Sequence, residues 1–253
     1  MKIAIALRTC TSVRTTFGND RMIEDSKSTI TLTCLNSLLR AIQFTDHEVV
    51  FSIHDDNSSE EAISMMQSMC DDRGVKVEFF RCDRLKNFVS QYEWCKKQDV
   101  DYIYCVEDDY LHQVEAIEDI VEMITHMKQW MPAMYAVYPF NNPHRYTSPD
   151  MLYPSYVIKG PNQYWRSVVH SPHTFFIPKL VFTANDEIMR NQAETWPTPE
   201  CFEDNTINRI WREGDVRLLS PMNSLALHIE DKSSEEPFYD WKPLWNDNLI
   251  RIE

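Results

Sequence analysis

Three carboxylates in a row, Glu107-Asp108-Asp109, follow directly on the apolar run Tyr102-Ile103-Tyr104-Cys105-Val106. Like charges held this close at the end of a core strand repel one another, and a proton, a basic partner or a metal cation relieves the repulsion. Mg²⁺ and Mn²⁺ take oxygen ligands and bridge one or two protein carboxylates to substrate phosphates. The triplet therefore points to metal-assisted chemistry on a phosphorylated substrate, with a solvated acidic turn as the alternative. Asp55-Asp56 closes a second apolar run in the same way, and Glu203-Asp204 stands just ahead of Ile207, Ile210 and Trp211 at helical spacing. Asp55 or Asp56 could accept from a base N–H or a sugar hydroxyl; as the alternative, the segment caps a helix through Asn57 or Ser58. His228 closes the apolar segment 224–227, and Trp165-Arg166 pairs a plane suited to a sugar face with a guanidinium suited to a diphosphate. His170 and His173 lie three apart, but Pro172 stands between them and no third ligand has a supporting spacing, so a zinc site is not expected.

The elements that must position these residues alternate between two periods over the first 110 residues. Apolar runs at 3–7, 49–53, 75–80 and 102–106 have strand character. Between them, helical spacing appears over 28–43, over 57–73 with acidic residues in its first turn, and over 87–98. This rhythm implies an α/β fold with a parallel sheet flanked by helices. In such sheets ligands bind beyond the carboxyl ends of the strands. One rim should thus gather Arg8-Thr9, His54-Asp55-Asp56-Asn57 and Glu107-Asp108-Asp109. Another helix follows, with Val114, Ile117, Ile120, Val121 and Ile124 on one face. From about residue 131 prolines and aromatics crowd the chain and periodicity fades, which implies loops and short strands rather than a further βα repeat.

Bulk properties narrow the class. With 253 residues, 43% of them hydrophobic, the chain can bury a sizeable core in one domain. A formal charge of −14 argues against nucleic-acid and anionic-membrane surfaces, which need basic patches. No apolar run reaches membrane-spanning length, and the first residues resemble a core strand more than a secretory leader. Seven cysteines, odd in number and without a C-x-x-C pair, are expected to be reduced thiols of a cytoplasmic protein. Four glycines allow neither a G-x-G-x-x-G nor a P-loop.

The ordered set of motifs resembles GT-A fold glycosyltransferases, in particular family 2-like enzymes. It runs from strand-Asp55-Asp56, through strand-Glu107-Asp108-Asp109, Trp165-Arg166-Ser167, Glu203-Asp204 and His228, to Asp240-Trp241. The resemblance implies a GT-A type, Rossmann-like, mostly parallel central sheet flanked by helices. It implies one domain over 1–253, with a nucleotide-binding half at 1–112 and an irregular donor-sugar and acceptor half at 113–253. Arg8, Thr9, Asp55, Asp56, Glu107 and Asp108 would then contact the nucleotide. Asp109 of the DXD motif, with His228, would hold Mn²⁺ or Mg²⁺ on the diphosphate; Glu-Asp-Asp replaces Asp-x-Asp here, which leaves the roles of Glu107 and Asp108 open. Asp204 would be the general base, with Glu203 orienting it or touching the acceptor, and Trp165, Arg166 and His173 would line the donor or acceptor pocket. The implied activity is metal-dependent, inverting transfer of a sugar from a nucleotide-sugar of UDP type to a hydroxyl of a glycan, protein or lipid acceptor. A metal-dependent nucleotidyltransferase is the rival enzyme, although no glycine-rich loop follows the first strand. A non-catalytic nucleotide- or glycan-binding module is the other alternative.

Overall fold

In a computed structural model, the described residues are 1–12, 22–83, 86–149, 152–196, 198–229, 232, 235–236 and 239–251. The strands β1 (Lys2–Thr9), β2 (Glu48–Asp56), β3 (Val77–Cys82) and β4 (Tyr102–Val106) alternate with the helices α1 (Lys27–Phe44), α2 (Glu60–Asp72) and α3 (Asn87–Lys97). They pair in parallel in the order β3-β2-β1-β4. β2 and β4 pair with the two edges of β1, and its residues from Ile3 to Thr9 are all buried.

Local chemistry sets the helix ends. Ser26 caps α1 by accepting from the Thr29 N–H at 3.1 Å, and Ser59 caps α2 by accepting from Ala62 at 3.2 Å. The cap of α2 is thus one residue beyond Ser58 and two beyond Asn57. Asn57 takes φ 61° in the β2–α2 turn, a conformation that asparagine tolerates better than most residues. Gly74 ends α2 at φ 66°, with its own N–H on the Asp71 carbonyl and that of Val75 on Cys70, both at 2.9 Å. Between the sheet and a flanking cluster containing Leu111, Leu227, Trp241 and Trp245, α1 is buried on most sides.

After β5 (Tyr110–His112) and α4 (Ala116–Trp130), the second half is built of short pieces, as its fading periodicity implied. These pieces also extend the main sheet. β6 (Met134–Val137), β7 (Val157–Lys159), β8 (Tyr164–Val168), β9 (Phe175–Pro178) and β10 (Val216–Pro221) continue it in the order β4-β9-β6-β10-β8-β7. Only β8 and β9 run against the others, so the nine-stranded sheet is mostly parallel. One apolar cluster runs from Ile3 to Ala226 and joins both halves. The remaining elements are α5 (His144–Thr147), α6 (Lys179–Ala184), α7 (Asp186–Thr195), α8 (Ile207–Glu213), β11 (Ala226–His228) and α9 (Lys242–Asn248). β11 pairs antiparallel with β5, which sets His228 opposite Tyr110 just beyond the acidic triplet. No described helix is long and apolar enough to cross a membrane. Cys10, Cys34, Cys70, Cys82, Cys95 and Cys105 are free thiols, and the Cys201 side chain lies outside the described residues.

Candidate active site

Each member of the acidic triplet meets a different answer to the same electrostatic problem. Asp108 turns back under the rim. Its Oδ1 accepts from the Lys27 ammonium at 2.6 Å, and its Oδ2 accepts from the Cys10 N–H at 2.9 Å and the Thr31 hydroxyl at 3.0 Å. A buried carboxylate with three donors ties α1 and the loop after β1 to the end of β4. Glu107 faces the other way and accepts from Arg8 Nη2 at 2.9 Å. Burial pushes its carboxyl up to about 7, with Asp109 and Glu203 adding to the rise and Arg8 and His228 opposing it. Asp109 is 7% exposed, and its Oδ2 lies 3.3 Å from His228 Nε2. Burial alone would raise its carboxyl; the adjacent His228 and Lys27 outweigh that and hold it well below the usual carboxylate range. Its Oδ1 is buried with no hydrogen-bond partner.

Arg8 organises the cleft around these groups. Its guanidinium lies 4.0 Å from the centroid of the Phe88 ring and 5.7 Å from that of Trp196, a partly desolvated cation–π seat. Its charge also acts on Glu203 and on His173. Glu203 sits in a tight turn spanning Glu203–Asn205, with Oε1 3.4 Å from His173 Nε2. Burial raises the Glu203 carboxyl, and Asp204 beside it adds to the rise. His173 is itself buried: Gln192 is 3.0 Å from its Nδ1, and Phe88 and Trp196 pack edge-on. Burial and then Arg8 hold this imidazole far below its ordinary value, so it is neutral.

Other expected site residues go elsewhere. Asp204 is 66% exposed, and its Oδ1 accepts from Arg212 at 2.6 Å and Asn208 at 2.9 Å, with His170 Nδ1 at 3.4 Å. Despite its partial burial, these partners hold its carboxyl below the usual range. Asp55 accepts from Thr9 Oγ1 at 2.8 Å and from the Ser58 N–H at 3.0 Å, so Thr9 and Asp55 brace one another across β1 and β2. Asp56 is buried at the same strand end. Trp165 is 1% exposed in the core, and its indole leaves so little room at Gly160 that an added Cβ would lie 2.7 Å from the ring. It presents no free face to a sugar. Arg166, the next residue of β8, points to the opposite face and lies 4.3 Å over the Tyr146 ring.

The structure therefore brings Arg8, Glu107, Asp109, His228, Glu203 and His173 within reach of one another's charges at the carboxyl ends of the strands. Lys27, Thr31, Gln192 and Arg212 emerge as partners that no motif spacing marked. A serine cap at Ser26 is the signal that could have placed Lys27 in the first turn of α1. For a divalent cation the described residues offer the unused Asp109 Oδ1 and the His228 imidazole. No group of three or more such side chains lies together among the described residues. This sparse donor set, one carboxylate oxygen and one imidazole, leaves room for an ion that takes most of its ligands from substrate phosphates and water.

No family model matches the chain, and no curated protein matches it in sequence. Solved structures do match in shape. S. aureus TarS superposes with TM-score 0.55 at 10% identity, over 89% of this chain and 36% of TarS. The chain thus spans about a third of that protein's length. Glucosyl-3-phosphoglycerate synthase from Mycobacterium tuberculosis, solved with Mn²⁺, UDP and glucosyl-3-phosphoglycerate, gives 0.48 at 8% identity over 97% of this chain and 76% of its own. CMP:2-keto-3-deoxy-manno-octonic acid synthetase with CTP gives 0.47 at 12% identity over 87% and 90%. At TM-scores below 0.5 the last two add no weight to the assignment. The fold is of the GT-A, Rossmann-like type.

Proposed function

We propose that this chain is a nucleotide-sugar-dependent glycosyltransferase that moves a sugar from a UDP-type donor to an acceptor hydroxyl with inversion. The observation that carries the reading is Asp109, a buried, ionised carboxylate with one unused oxygen, set beside His228 at the carboxyl end of β4. Asp109 and His228 would hold Mn²⁺ or Mg²⁺, which supplies charge stabilisation for the departing diphosphate. Thr9, Asp55 and Asp56 shape the nucleoside end of the rim, and Arg8 and Glu107 bound the cleft between nucleotide and acceptor. The two expected base candidates part company: Glu203 fits the role better than Asp204. A base must be able to take a proton, and burial raises Glu203, whereas Arg212 and Asn208 quench Asp204. Glu203 would accept the acceptor's hydroxyl proton while that oxygen attacks the anomeric carbon and the bond to the diphosphate breaks. Neutral His173 lies beside Glu203, and Asp204 anchors the turn through Arg212. The whole of 1–253 would act as one catalytic unit in this scheme.

Thermal-shift titration of the purified chain with UDP, CTP and UDP-sugars, with and without Mn²⁺, tests the reading, because a ligand that binds the folded state raises its apparent stability. The expected result is a Mn²⁺-dependent shift with UDP and with at least one UDP-sugar, accompanied by slow release of UDP. Release of pyrophosphate from CTP with a sugar acid would instead make the chain a nucleotidyltransferase. Binding without turnover against a broad panel of donors and acceptors would leave a binding module.

A further inference from the structure

Beyond the carboxylate cleft, two arginines are buried with donors to spare. Arg166 on β8 is 7% exposed, and its Nε and Nη2 have no partner. Arg145 on α5 is 8% exposed; one Nη donates to the His170 carbonyl, and its Nε has no partner. The two guanidiniums lie close enough to repel. Burial and then Arg166 push Arg145 down to about 10, against an opposing pull from Tyr138. Glu236 acts on Arg166, but it is held by Asn141 at 3.4 Å and is raised by its own burial. Tyr138 and Tyr146 supply ring faces at 5.3 and 4.3 Å rather than anions. Buried donors left open on two like-charged groups are costly, and an anion placed between them would relieve both penalties.

Their position decides which substrate such an anion belongs to. Arg166 lies opposite Ser220 near the carboxyl end of β10, on the same rim as the cleft. In the sheet order β4-β9-β6-β10-β8 it stands four strands from the acidic triplet, about 19 Å at the usual strand spacing. Tyr138 and Phe140 follow the end of β6 between the two sites, and Phe140 packs edge-on against His228 at 6.3 Å. On the other side, Arg145 holds the carbonyl of His170, whose ring is 3.4 Å from Asp204. The arginine pair therefore lies beyond the metal residues and alongside the turn that carries Glu203. We propose that Arg145 and Arg166 form an anion subsite that grips a phosphate or carboxylate group of the acceptor, so that the chain glycosylates an anionic acceptor rather than a neutral sugar. This inference rests on the glycosyltransferase reading above.

The test pairs two measurements on Arg166→Gln, Arg145→Gln and the milder Arg166→Lys. First, inorganic phosphate without metal should raise the melting temperature of the wild-type chain, and the two glutamine variants should lose that shift. Second, transfer from a UDP-sugar should favour phosphorylated or carboxylated acceptors over matched neutral ones by about tenfold or more, since a hydrogen bond to a charged group contributes on that scale. The glutamine variants should collapse this preference while UDP with Mn²⁺ still binds within about twofold of wild type. Arg166→Lys, which keeps the charge but loses the fork, should fall between. Equal use of neutral and anionic acceptors by wild type overturns the proposal. So does a loss of UDP affinity in the variants, which would assign the arginines to the donor. If wild type binds no nucleotide but the arginine-dependent phosphate shift persists, the glycosyltransferase reading fails while the anion subsite stands.

Discussion

The two halves of the rim treat their polar side chains in opposite ways. Under the first half, the braced carboxylates are satisfied internally: Asp55 by Thr9 and Ser58, and Asp108 by Lys27, Thr31 and the Cys10 N–H. Along the border and the second half, buried polar atoms stay open: Nε of Arg8, Oδ1 of Asp109, Nε of Arg145, and Nε and Nη2 of Arg166. Satisfied buried groups fix geometry, whereas unsatisfied ones keep a cost that a ligand can remove. Substitutions in the first region should therefore cost stability, and those in the second should cost function. The triplet straddles this boundary, which is why three adjacent carboxylates do three different things.

The largest effect should come from the turn that faces both regions. Glu203→Gln is expected to lower kcat by about 10²- to 10⁴-fold with little change in UDP affinity, whereas Asp204→Asn should cost less than about tenfold. Steady-state kinetics that reversed this ranking would return the base to Asp204. Because burial raises Glu203 and the base acts deprotonated, activity should rise with pH through an acid limb above the ordinary glutamate value of about 4.3. That limb should vanish in Glu203→Gln.

Next comes the braced floor. Asp108→Ala strands the Lys27 ammonium in a buried site and should destabilise the fold by about 3–5 kcal/mol in urea titrations. Pairing Lys27→Met with Asp108→Leu should recover much of that loss. A stable Asp108→Ala that instead fails to bind UDP would break the contrast between the regions. Asp109→Asn should show the converse: at least about 10²-fold less Mn²⁺-dependent transfer, since the cation's charge stabilisation is worth several kcal/mol. The metal-free stability of Asp109→Asn should change far less than that of Asp108→Ala.

The smallest expected effect probes the first half by pH. Burial, with Arg8 adding to it, holds His54 down at about 3, between Ser52 at 2.9 Å and Ser90 at 2.7 Å. Below the unfolded value of about 6.5, the unfolded chain takes up a proton that the folded chain refuses. Stability is therefore lost as pH falls from about 6.5 towards 3, by up to about 1.4 kcal/mol per pH unit for this residue. Urea midpoints at pH 7 and pH 5.5 should converge in His54→Gln relative to wild type; an unchanged gap would show that other groups set the dependence.

How far the sequence reached can be told element by element. Tyr102–Val106 is the run of five apolar residues read from the sequence, and the α1 and α3 bounds fall within a residue of their periodic spans. Hydrophobic spacing fixes such long elements because each buries one face or both. The five short strands with which the second half extends the main sheet were legible only as texture, since β7 is three residues long and gains its stability from the ladder beside it. Trp165 had the right chemistry for a sugar platform, but the alternation of β8 turned it into the core and turned Arg166 to the opposite face of the sheet, where it is also buried.

By itself the sequence determined the α/β alternation, the rim on which Arg8, Asp55 and Glu107-Asp108-Asp109 collect, and the three ways in which clustered carboxylates can be stabilised. It could do so because strand and helix periods are local and the carboxyl ends of parallel strands share one edge. Tertiary structure alone decided which carboxylate received which answer: Arg8 for Glu107, Lys27 for Asp108, and His228 with an open oxygen for Asp109. The same holds for the contrast between the Glu203 and Asp204 carboxyls, where burial raises the first and Asn208 and Arg212 lower the second. These partners are 4 to 119 residues away along the chain, as between Asp204 and Asn208 or Asp109 and His228. Charge and burial act through space, so their assignment had to wait for the fold.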